Sequence, residues 1–255
     1  MSFEDLKREV AIANRILTEL GLANDLTISR GHVSLRIPEA PDRFIVKGRG
    51  YEMDALPCMR PEDMVVCDLE GYLTEGPPGV SQCFEVKIHS CIYRTYPEVR
   101  SVVHVHPTFT VLMGSLKAQL RPLSGSGGQL VRNPVPVFPH SYLIQSEEDG
   151  MGVAGLLQDS KAVLLRGHGA VTTGRSMEES VTNMLELEKQ ARLNWYALCA
   201  FGPDYPCIEE EMFIENAARP SFEDEPHFKE TMATRRRVGR GGMWAYYSEL
   251  VSKDL

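Results

Sequence analysis

The sequence has no excess of basic charge. Among its 255 residues, lysine and arginine total 27 while aspartate and glutamate total 35, which gives a formal net charge of -8. Because proteins that bind nucleic acids usually carry a basic surface, we expect no nucleic-acid partner and favour a small-molecule one. One basic cluster near the C-terminus is interpreted as a solvated or subunit-facing segment, with an anion-binding role as the alternative: Arg235, Arg236, Arg237 and Arg240.

Long apolar runs and paired cysteines are also missing. No segment approaches the roughly 20 apolar residues that a membrane-spanning helix needs, and the N-terminus shows no apolar signal region. We therefore expect a cytoplasmic protein without a membrane partner. The six cysteines form no Cys-x-x-Cys pair, so reduced thiols are favoured over a disulfide framework or a cysteine-rich zinc site.

The pattern that is present is typical of an α/β fold. A capping box at Ser2 and Asp5 begins an amphipathic helix that should end near Gly21. Further helices are predicted over residues 81–96, 110–116 and 147–157, and from Ser176 onward. Short β-rich runs predict strands over residues 33–37, 44–46, 64–69, 101–106, 135–138 and 162–165. Pro136 makes the strand that contains it an edge strand.

Length and composition predict a single domain over residues 1–255. With 43% hydrophobic and 24% charged residues, the chain can build one sizeable core. Residues 203–255 are rich in proline and charge and too poor in periodic apolar residues for a core of their own. We expect this C-terminal arm to pack on the domain or on a neighbouring subunit. Its Tyr246 and Tyr247 either close a functional site or serve as aromatic anchors.

Two histidines stand at a spacing that suits a metal ion. His104 and His106 fall within a predicted strand, where side chains at positions i and i+2 share a face roughly 7 Å apart. They can therefore present two imidazoles to one cation. The alternative is that a His-x-His sequence arises by chance among seven histidines.

A third histidine and a carboxylate complete the candidate metal site. His168 follows an apolar run and stands between Gly167 and Gly169, and such glycines let the backbone approach a ligand closely. A histidine that is hydrogen-bonded in a tight turn is the alternative. Glu85 lies on a predicted helix that leads into the His104 strand, and it is a fourth ligand, an acid/base group or an exposed helical glutamate. Three imidazoles leave a position open on zinc, manganese or iron.

Three longer segments resemble the class II aldolase/adducin family. They are residues 85–93 (EVKIHSCIY), 97–107 (PEVRSVVHVHP) and 164–171 (LLRGHGAV). Residues 31–36 and 64–71 resemble two earlier strand segments of that family. The resemblance covers about residues 5–200.

The resemblance implies a three-layer α/β/α fold around a central, mainly antiparallel sheet, assembled as a homotetramer with active sites at subunit interfaces. In catalytic members, the positions of His104, His106 and His168 bind the metal ion, and the position of Glu85 supplies the acid/base group. We expect one divalent ion, zinc or manganese, with iron and cobalt as alternatives. Because all four residues are present, a non-catalytic adducin-like binding domain is the weaker alternative.

The departures from the family pattern concern the substrate. Sugar-phosphate aldolases of the family carry Asn at the position of His32, Ser at that of Arg49, and two Ser at those of Cys83 and Phe84. These positions form their phosphate pocket. Cys83 and Phe84 offer no hydroxyl donors, and burying a phosphate without partners is costly. The substitutions resemble the branch of the family that decarboxylates hydroxylated aromatic or pyridine dicarboxylates.

We therefore predict a metal-dependent decarboxylase, a carbon–carbon lyase, of a hydroxylated aromatic dicarboxylate, with the metal stabilising an enolate. Glu85 or His32 is the candidate proton donor. Arg49 holds the retained carboxylate through its planar fork, and Phe84 forms an apolar wall for the ring. Ser34 is a further candidate substrate-binding residue. A class II aldolase that cleaves a hydroxy-keto acid or a sugar phosphate is the alternative.

Overall fold

The computed structural model describes residues 2–221, 224–230 and 242–255, so the basic cluster at residues 235–240 lies outside the described residues. The helices are α1 (Phe3–Glu19), α2 (Val86–Thr95), α3 (Thr108–Leu116), α4 (Glu147–Leu157), α5 (Met177–Phe201), α6 (Glu210–Ala218) and α7 (Met243–Val251). The strands are β1 (His32–Ile37), β2 (Ala40–Arg49), β3 (Met64–Asp68), β4 (Leu73–Glu75), β5 (Ser81–Gln82), β6 (Ser101–Val105), β7 (Val137–Phe138), β8 (Ala162–Leu165) and β9 (Gly169–Gly174). Across these ranges no helix is long and apolar enough to cross a bilayer.

The strands form one sheet in the order β4-β3-β2-β1-β6-β9-β8-β7, with β5 paired to β2. Every pair of neighbours is antiparallel except β7 with β8. The predicted central, mainly antiparallel sheet is confirmed, and the strand that follows Pro136 is at its edge. In the middle of the sheet, the pairing of β1 with β6 sets His32 opposite His104.

Alternation along the strands supplies an apolar surface to both faces of the sheet. On one face, Val33 of β1 and Val103 of β6 join a buried cluster with residues of α1, α3 and α5. On the other face, Phe44 of β2 and Val102 of β6 join a cluster with residues of α2 and α4. Burying one such side chain contributes roughly 1.5–3 kcal/mol, so both helical layers stabilise the sheet. The three-layer α/β/α prediction is confirmed.

The two ends of the described chain meet. The capping box at the start of α1 forms as predicted, with Asp5 N–H donating to Ser2 Oγ and Ser2 N–H donating to the Asp5 carboxylate. Helix α7 packs against α1, and its Tyr247 contacts the core cluster that contains α1, whereas Tyr246 is 63% exposed. Tyr247 is therefore an anchor of the arm.

Two predicted boundaries beside the candidate site are wrong, and strands β4, β5 and β9 and helices α6 and α7 were not predicted. The helix expected from residue 81 begins only at Val86, because residues 81–82 form β5 and pair with residues 48–49 of β2. The strand expected to include His106 ends at Val105. Strand β9 directly follows His168, and its glycine- and threonine-rich sequence shows no apolar alternation that would indicate a strand.

Candidate metal centre

His104 lies at the centre of the sheet, and its side chain is fully buried. Its Nδ1 donates to the backbone oxygen of Ala170 on β9 at 3.0 Å, because a carbonyl oxygen can only accept. In the neutral ring this leaves a lone pair on Nε2, which lies 3.1 Å from Oε2 of Glu85. Two acceptors then face each other, an arrangement that requires a cation or a proton between them.

His106 and His168 meet His104 from the ends of two strands. His106 directly follows β6, and His168 lies in the turn between β8 and β9. The ring centroid of His106 is 4.7 Å from that of His104 and 5.0 Å from that of His168. Burial and then these two neighbours lower the pKa of His106 to about 2, so its imidazole is neutral, as a metal ligand must be.

A glycine allows this close approach. A Cβ atom at Gly169 would lie 2.8 Å from Cδ2 of His106 and 3.2 Å from Cε1 of His104. Gly167, on the other side of His168, has φ +63° in the turn, a conformation that favours glycine. Gly169 therefore allows the imidazoles to lie close to the backbone, and Gly167 allows the turn that holds His168.

Glu85 is the residue immediately before α2, with φ -101° and ψ 34°, and does not lie on the helix as predicted. Its Oε1 accepts from the backbone N–H of Ile144 at 2.9 Å and lies 3.5 Å from Nε2 of His168. Burial acts to raise the pKa of the Glu85 carboxyl, but His104 and His168 outweigh burial and hold that pKa well below its usual range. The group is therefore a carboxylate.

These four side chains fit a divalent cation. Three buried nitrogens have no hydrogen-bond partner in the described part of the chain, namely Nδ1 of His106 and both ring nitrogens of His168, and such atoms are costly unless something binds them. One ligand atom from each of Glu85, His104, His106 and His168 lies within 4.8 Å of the others. A tetrahedral ion with bonds of about 2.0–2.1 Å holds its ligands about 3.4 Å apart, close to the separations of 3.1 and 3.5 Å around Glu85.

Glu85, His106 and His168 line a cavity of about 800 Å³, and His104 lies buried behind them. Arg49 and Phe84, which are proposed from the sequence as substrate-binding residues, line it as well. The guanidinium of Arg49 stacks over the Phe84 ring, with Cζ 4.6 Å from the centroid, and its Nε lies 3.3 Å from the Asp54 carboxylate. Phe84 is 60% exposed. The cavity thus offers candidate metal ligands, a cationic group and an apolar surface.

Of the other two predicted site residues, His32 reaches the cavity and Ser34 does not. His32 lines the cavity. Ser34, two residues along β1, is fully buried, and its Oγ lies 2.6 Å from Nδ1 of His89 on α2. Because α2 covers this face of β1, Ser34 does not reach the cavity, and the prediction that it contacts substrate is corrected.

Several cavity residues were not predicted from the sequence. One is a second cation, and the others carry hydroxyl groups: Arg30, Thr27, Thr108, Ser141 and Tyr142. Hydroxyl donors are therefore missing at positions 83 and 84 but present elsewhere in the cavity, which weakens the expectation that a phosphate finds no partner. Arg30 could have been identified from the sequence by its position directly before the Gly31-His32 pair. The other four stand in turns and at a helix start without any pattern.

Comparison with known proteins decides the family. A model of the Class II Aldolase and Adducin N-terminal domain family matches residues 8–195. The chain belongs to this family. All four candidate metal residues of this class II aldolase/adducin chain lie within the matched segment, whereas α6 and α7 lie beyond it. The family prediction is confirmed.

Two curated relatives of this class II aldolase/adducin chain are decarboxylases. A 3,4-dihydroxyphthalate decarboxylase from Terrabacter sp. (strain DBF63) is 31% identical over 241 residues, which are 91% of this chain and 95% of the relative. A 3-oxo-tetronate 4-phosphate decarboxylase from Escherichia coli (strain K12) is 33% identical over 114 residues, 43% of this chain and 53% of the relative. These relatives confirm the predicted enzyme class, a carbon–carbon lyase.

A solved structure confirms the class II aldolase fold. The L-fuculose 1-phosphate aldolase from Glaciozyma antarctica PI12 matches with a TM-score of 0.74 and 23% identity, covering 97% of this chain and 88% of that one. At this identity the match shows the shared fold and carries no inference about the substrate.

Proposed function

We propose that the protein is a metal-dependent carboxy-lyase that acts on a hydroxylated aromatic dicarboxylate. One observation carries the proposal: ligand atoms of a carboxylate and three imidazoles converge within 4.8 Å, and the carboxylate and two of these imidazoles line a cavity that two guanidinium groups also line. The metal ligands in this proposal are Glu85, His104, His106 and His168. The decarboxylase from Terrabacter, similar over nearly the whole chain, supports the reaction class.

Two cations in one cavity suit a substrate with two carboxylates. A guanidinium presents paired donors in a plane, the geometry that a carboxylate accepts. Lys47 and Arg49 share the carboxylate of Asp54, so this group keeps one net positive charge. Because Asp54 and Phe84 hold the Arg49 side chain in place, little ordering is needed when a ligand binds. We propose that Arg49 binds the carboxylate that the substrate retains and that Arg30 supplies an additional positive charge in the cavity.

The residues divide the chemistry among themselves. A bound divalent cation supplies a Lewis acid that stabilises negative charge on the substrate oxygens. Glu85, charged and facing two of the imidazoles, serves as a ligand rather than a proton donor. His32 lines the same cavity and transfers the proton. Phe84 covers the aromatic ring of the substrate.

The family resemblance and the cavity rim support assembly as a homotetramer with sites at subunit interfaces. Three apolar side chains at the rim are exposed: Phe84 at 60%, Tyr142 at 49% and Leu143 at 47%. Burying these side chains against a second copy would remove apolar area from water and narrow the entrance to the cavity.

Product identity tests the proposed reaction. Elemental analysis of the purified protein first identifies the bound ion, with zinc or manganese expected. The loaded enzyme is then incubated with ortho-hydroxylated aromatic dicarboxylates and with ketose 1-phosphates. We expect CO2 and the aromatic monocarboxylate, and a preference over any sugar phosphate of more than roughly a hundredfold. Retro-aldol cleavage of a sugar phosphate without CO2 from any aromatic acid would overturn the decarboxylase proposal.

A phosphorylated substrate is the second candidate, since Thr27, Thr108 and Ser141 bring hydroxyl groups to the cavity. The Escherichia coli relative is named for a phosphorylated keto acid, which also favours this candidate. Decarboxylation of a phosphorylated keto acid in preference to every aromatic acid in the panel would favour this candidate. The metal cluster has the same role in either case.

A further inference from the structure

A chain of buried hydrogen bonds runs from the cavity into the core behind it. His32 Nδ1 lies 2.6 Å from His89 Nε2, and His89 Nδ1 lies 2.6 Å from Ser34 Oγ. Ser34 Oγ is 2.7 Å from the Tyr93 hydroxyl, which donates to the backbone oxygen of Arg100 at 3.4 Å. The four side chains are at most 4% exposed, so they bond to one another rather than to bulk water.

The far end of this chain sets its direction. The carbonyl oxygen of Arg100 can only accept, and a backbone N–H already uses one of its two lone pairs. If Tyr93 donates to the other lone pair, the Tyr93 oxygen accepts from Ser34. Ser34 then accepts from His89 Nδ1, and His89 Nε2 accepts from His32 Nδ1. This direction forms one hydrogen bond more than the reverse, in which Tyr93 donates to Ser34 and no longer to the carbonyl.

The group is a hydrogen-bond network rather than a second metal site. Ligand atoms of His32, Cys83 and His89 also lie within 4.8 Å of one another. The 2.6 Å between the two imidazole nitrogens is nevertheless a hydrogen-bond distance, shorter than the about 3.4 Å between two ligands of one tetrahedral ion. Burial and then His104 lower the pKa of His89 to about 3, so His89 is neutral and can donate at one nitrogen while it accepts at the other.

We propose that Tyr93, Ser34 and His89 are positioning residues that hold His32 as the Nδ1–H tautomer, so that Nε2 presents a lone pair to the cavity. No hydrogen bond to Nε2 from the described residues competes with a ligand there. His32 is then a proton acceptor in the resting enzyme, which sharpens its assignment as the proton-transfer group. This inference rests on the proposed function only for the identity of the proton that His32 accepts.

In the proposed decarboxylase that proton is the one on the ring hydroxyl. The O–H bond of the substrate breaks, its electron pair stays on the oxygen, and an N–H bond forms at Nε2 of His32. The resulting imidazolium keeps its Nδ1–H bond to His89. It then returns the proton to the ring carbon that bears the departing carboxylate, which closes the proton balance of His32. When CO2 leaves, the electron pair of the broken carbon–carbon bond restores the aromatic ring and leaves the oxygen as a phenolate, which takes up one proton from solvent.

The tautomer is measured directly. Nitrogen-15 spectra of the zinc-loaded protein labelled at histidine distinguish Nδ1–H from Nε2–H, and the His32 signals are assigned by their loss in His32→Gln. We expect Nδ1–H at His32 in the wild-type protein. Nε2–H there would overturn the proposal, and this result requires no other variant to fold.

Tyr93→Phe tests whether the chain sets the tautomer. Without the terminal hydroxyl, Ser34 is free to donate to His89, and we expect His32 to shift toward Nε2–H. Tyr96→Phe is the matched control, since the Tyr96 hydroxyl donates to Ala154 O at 2.9 Å on the same side of the sheet and outside the chain. Identical histidine spectra for the two variants would contradict the positioning role.

Kinetics supply a second measurement. We expect Tyr93→Phe to lower kcat about tenfold with KM changed by less than about twofold, because Tyr93 touches no substrate. Ser34→Ala should behave alike, while Ser101→Ala, which removes an equally buried hydroxyl from the neighbouring strand, should leave kcat unchanged. An equal loss in both serine variants would contradict the proposal. If no lyase activity is found with any substrate, the proposed function fails, and the spectra alone decide the tautomer.

Discussion

Two buried polar clusters lie side by side at the cavity, and they differ in how completely their atoms are hydrogen-bonded. The metal cluster consists of Glu85, His104, His106 and His168, and three of its imidazole nitrogens have no partner among the residues described. The relay cluster consists of His32, Ser34, His89 and Tyr93, and its contacts form a continuous chain from the cavity to a backbone carbonyl.

The difference shows what separates a ligand site from a positioning network. Both clusters contain buried histidines, and both bring possible ligand atoms within 4.8 Å of one another. Burial and residue type therefore do not distinguish them. Unpaired nitrogens need a cation to offset their desolvation, whereas paired nitrogens are already stabilised without one. We expect a metal in the first cluster and a fixed tautomer in the second.

The largest expected effect comes from His168→Ala, which removes two of the unpaired nitrogens together with a ligand. Metal affinity should fall at least about a thousandfold, or ~4 kcal/mol, and activity should be lost with it. Elemental analysis after dialysis and a turnover assay measure the two losses. His140→Ala, which removes an exposed histidine outside both clusters, should change neither. If His168→Ala still binds a full equivalent of metal, His168 is not a ligand and the metal cluster is not the metal site.

Gly169→Ala should weaken the metal cluster without removing a ligand. The added Cβ would lie 2.5 Å from Val105 O and 2.8 Å from the His106 ring, so the imidazoles must move apart. We expect metal affinity to fall roughly 10- to 100-fold, measured by competition with a chelator. Gly155→Ala is the control, because a Cβ there would meet no atom within 4 Å beyond its chain neighbours and the nearby backbone of its own helix. Unchanged affinity in Gly169→Ala would show that the rings tolerate displacement.

Low pH should destabilise the folded protein through His89 of the relay cluster. An unfolded histidine has a pKa of about 6.5, whereas burial and then His104 lower the pKa of His89 to about 3 in the folded protein. Between these values the unfolded state binds a proton that the folded state does not. Stability should therefore fall as pH drops from about 6.5 toward 3, by up to about 1.4 kcal/mol per pH unit.

Denaturant unfolding of metal-free protein at about pH 7.5 and about pH 5 measures this loss. His89→Gln lacks the titrating group, so its free energy of unfolding should change less between the two pH values than that of the wild type. Equal changes in both proteins would mean that His89 does not contribute to the acid sensitivity.

The smallest effect is expected at Arg49, beside both clusters. Arg49→Lys keeps the charge but loses the planar fork and the stacking on Phe84, so KM for an aromatic dicarboxylate should rise about tenfold. Arg43→Lys is the control, since Arg43 pairs with Glu75 at the surface. The KM for a substrate analogue without the retained carboxylate should not rise in Arg49→Lys. If this KM also rises, Arg49 acts in some other way.

The three histidines of the metal cluster could be predicted from the sequence because they carry local signals, whereas Glu85 was assigned through the family resemblance. Alternation sets His104 and His106 close together, and two glycines mark the turn that holds His168. Apolar periodicity and the capping box at Ser2 predicted the α/β class and most helices and strands, whereas the three-layer arrangement around a mainly antiparallel sheet came from the family resemblance. Strand β9 was missed because residues 169–174 contain glycine and threonine in place of an alternating apolar pattern.

The relay cluster depends on contacts that no local pattern records. Alternation predicts that His32 and Ser34 share one face of β1, but not that α2 covers the Ser34 end of that face and leaves the His32 end open. Likewise, Arg30 and Tyr142 reach the cavity from turns that are far apart in the sequence. Such placements follow from the packing of distant elements, which a single sequence does not show.

Arg15 of α1 binds the other end of the described chain. Its side chain is 5% exposed and donates to the backbone oxygens of Met59 and Val251 and to the carboxylate of Asp254. The family match ends at residue 195, so a fragment cut there would keep only the Met59 oxygen of these three acceptors. The segment that the family model matches is thus shorter than the segment that supplies the acceptors of Arg15.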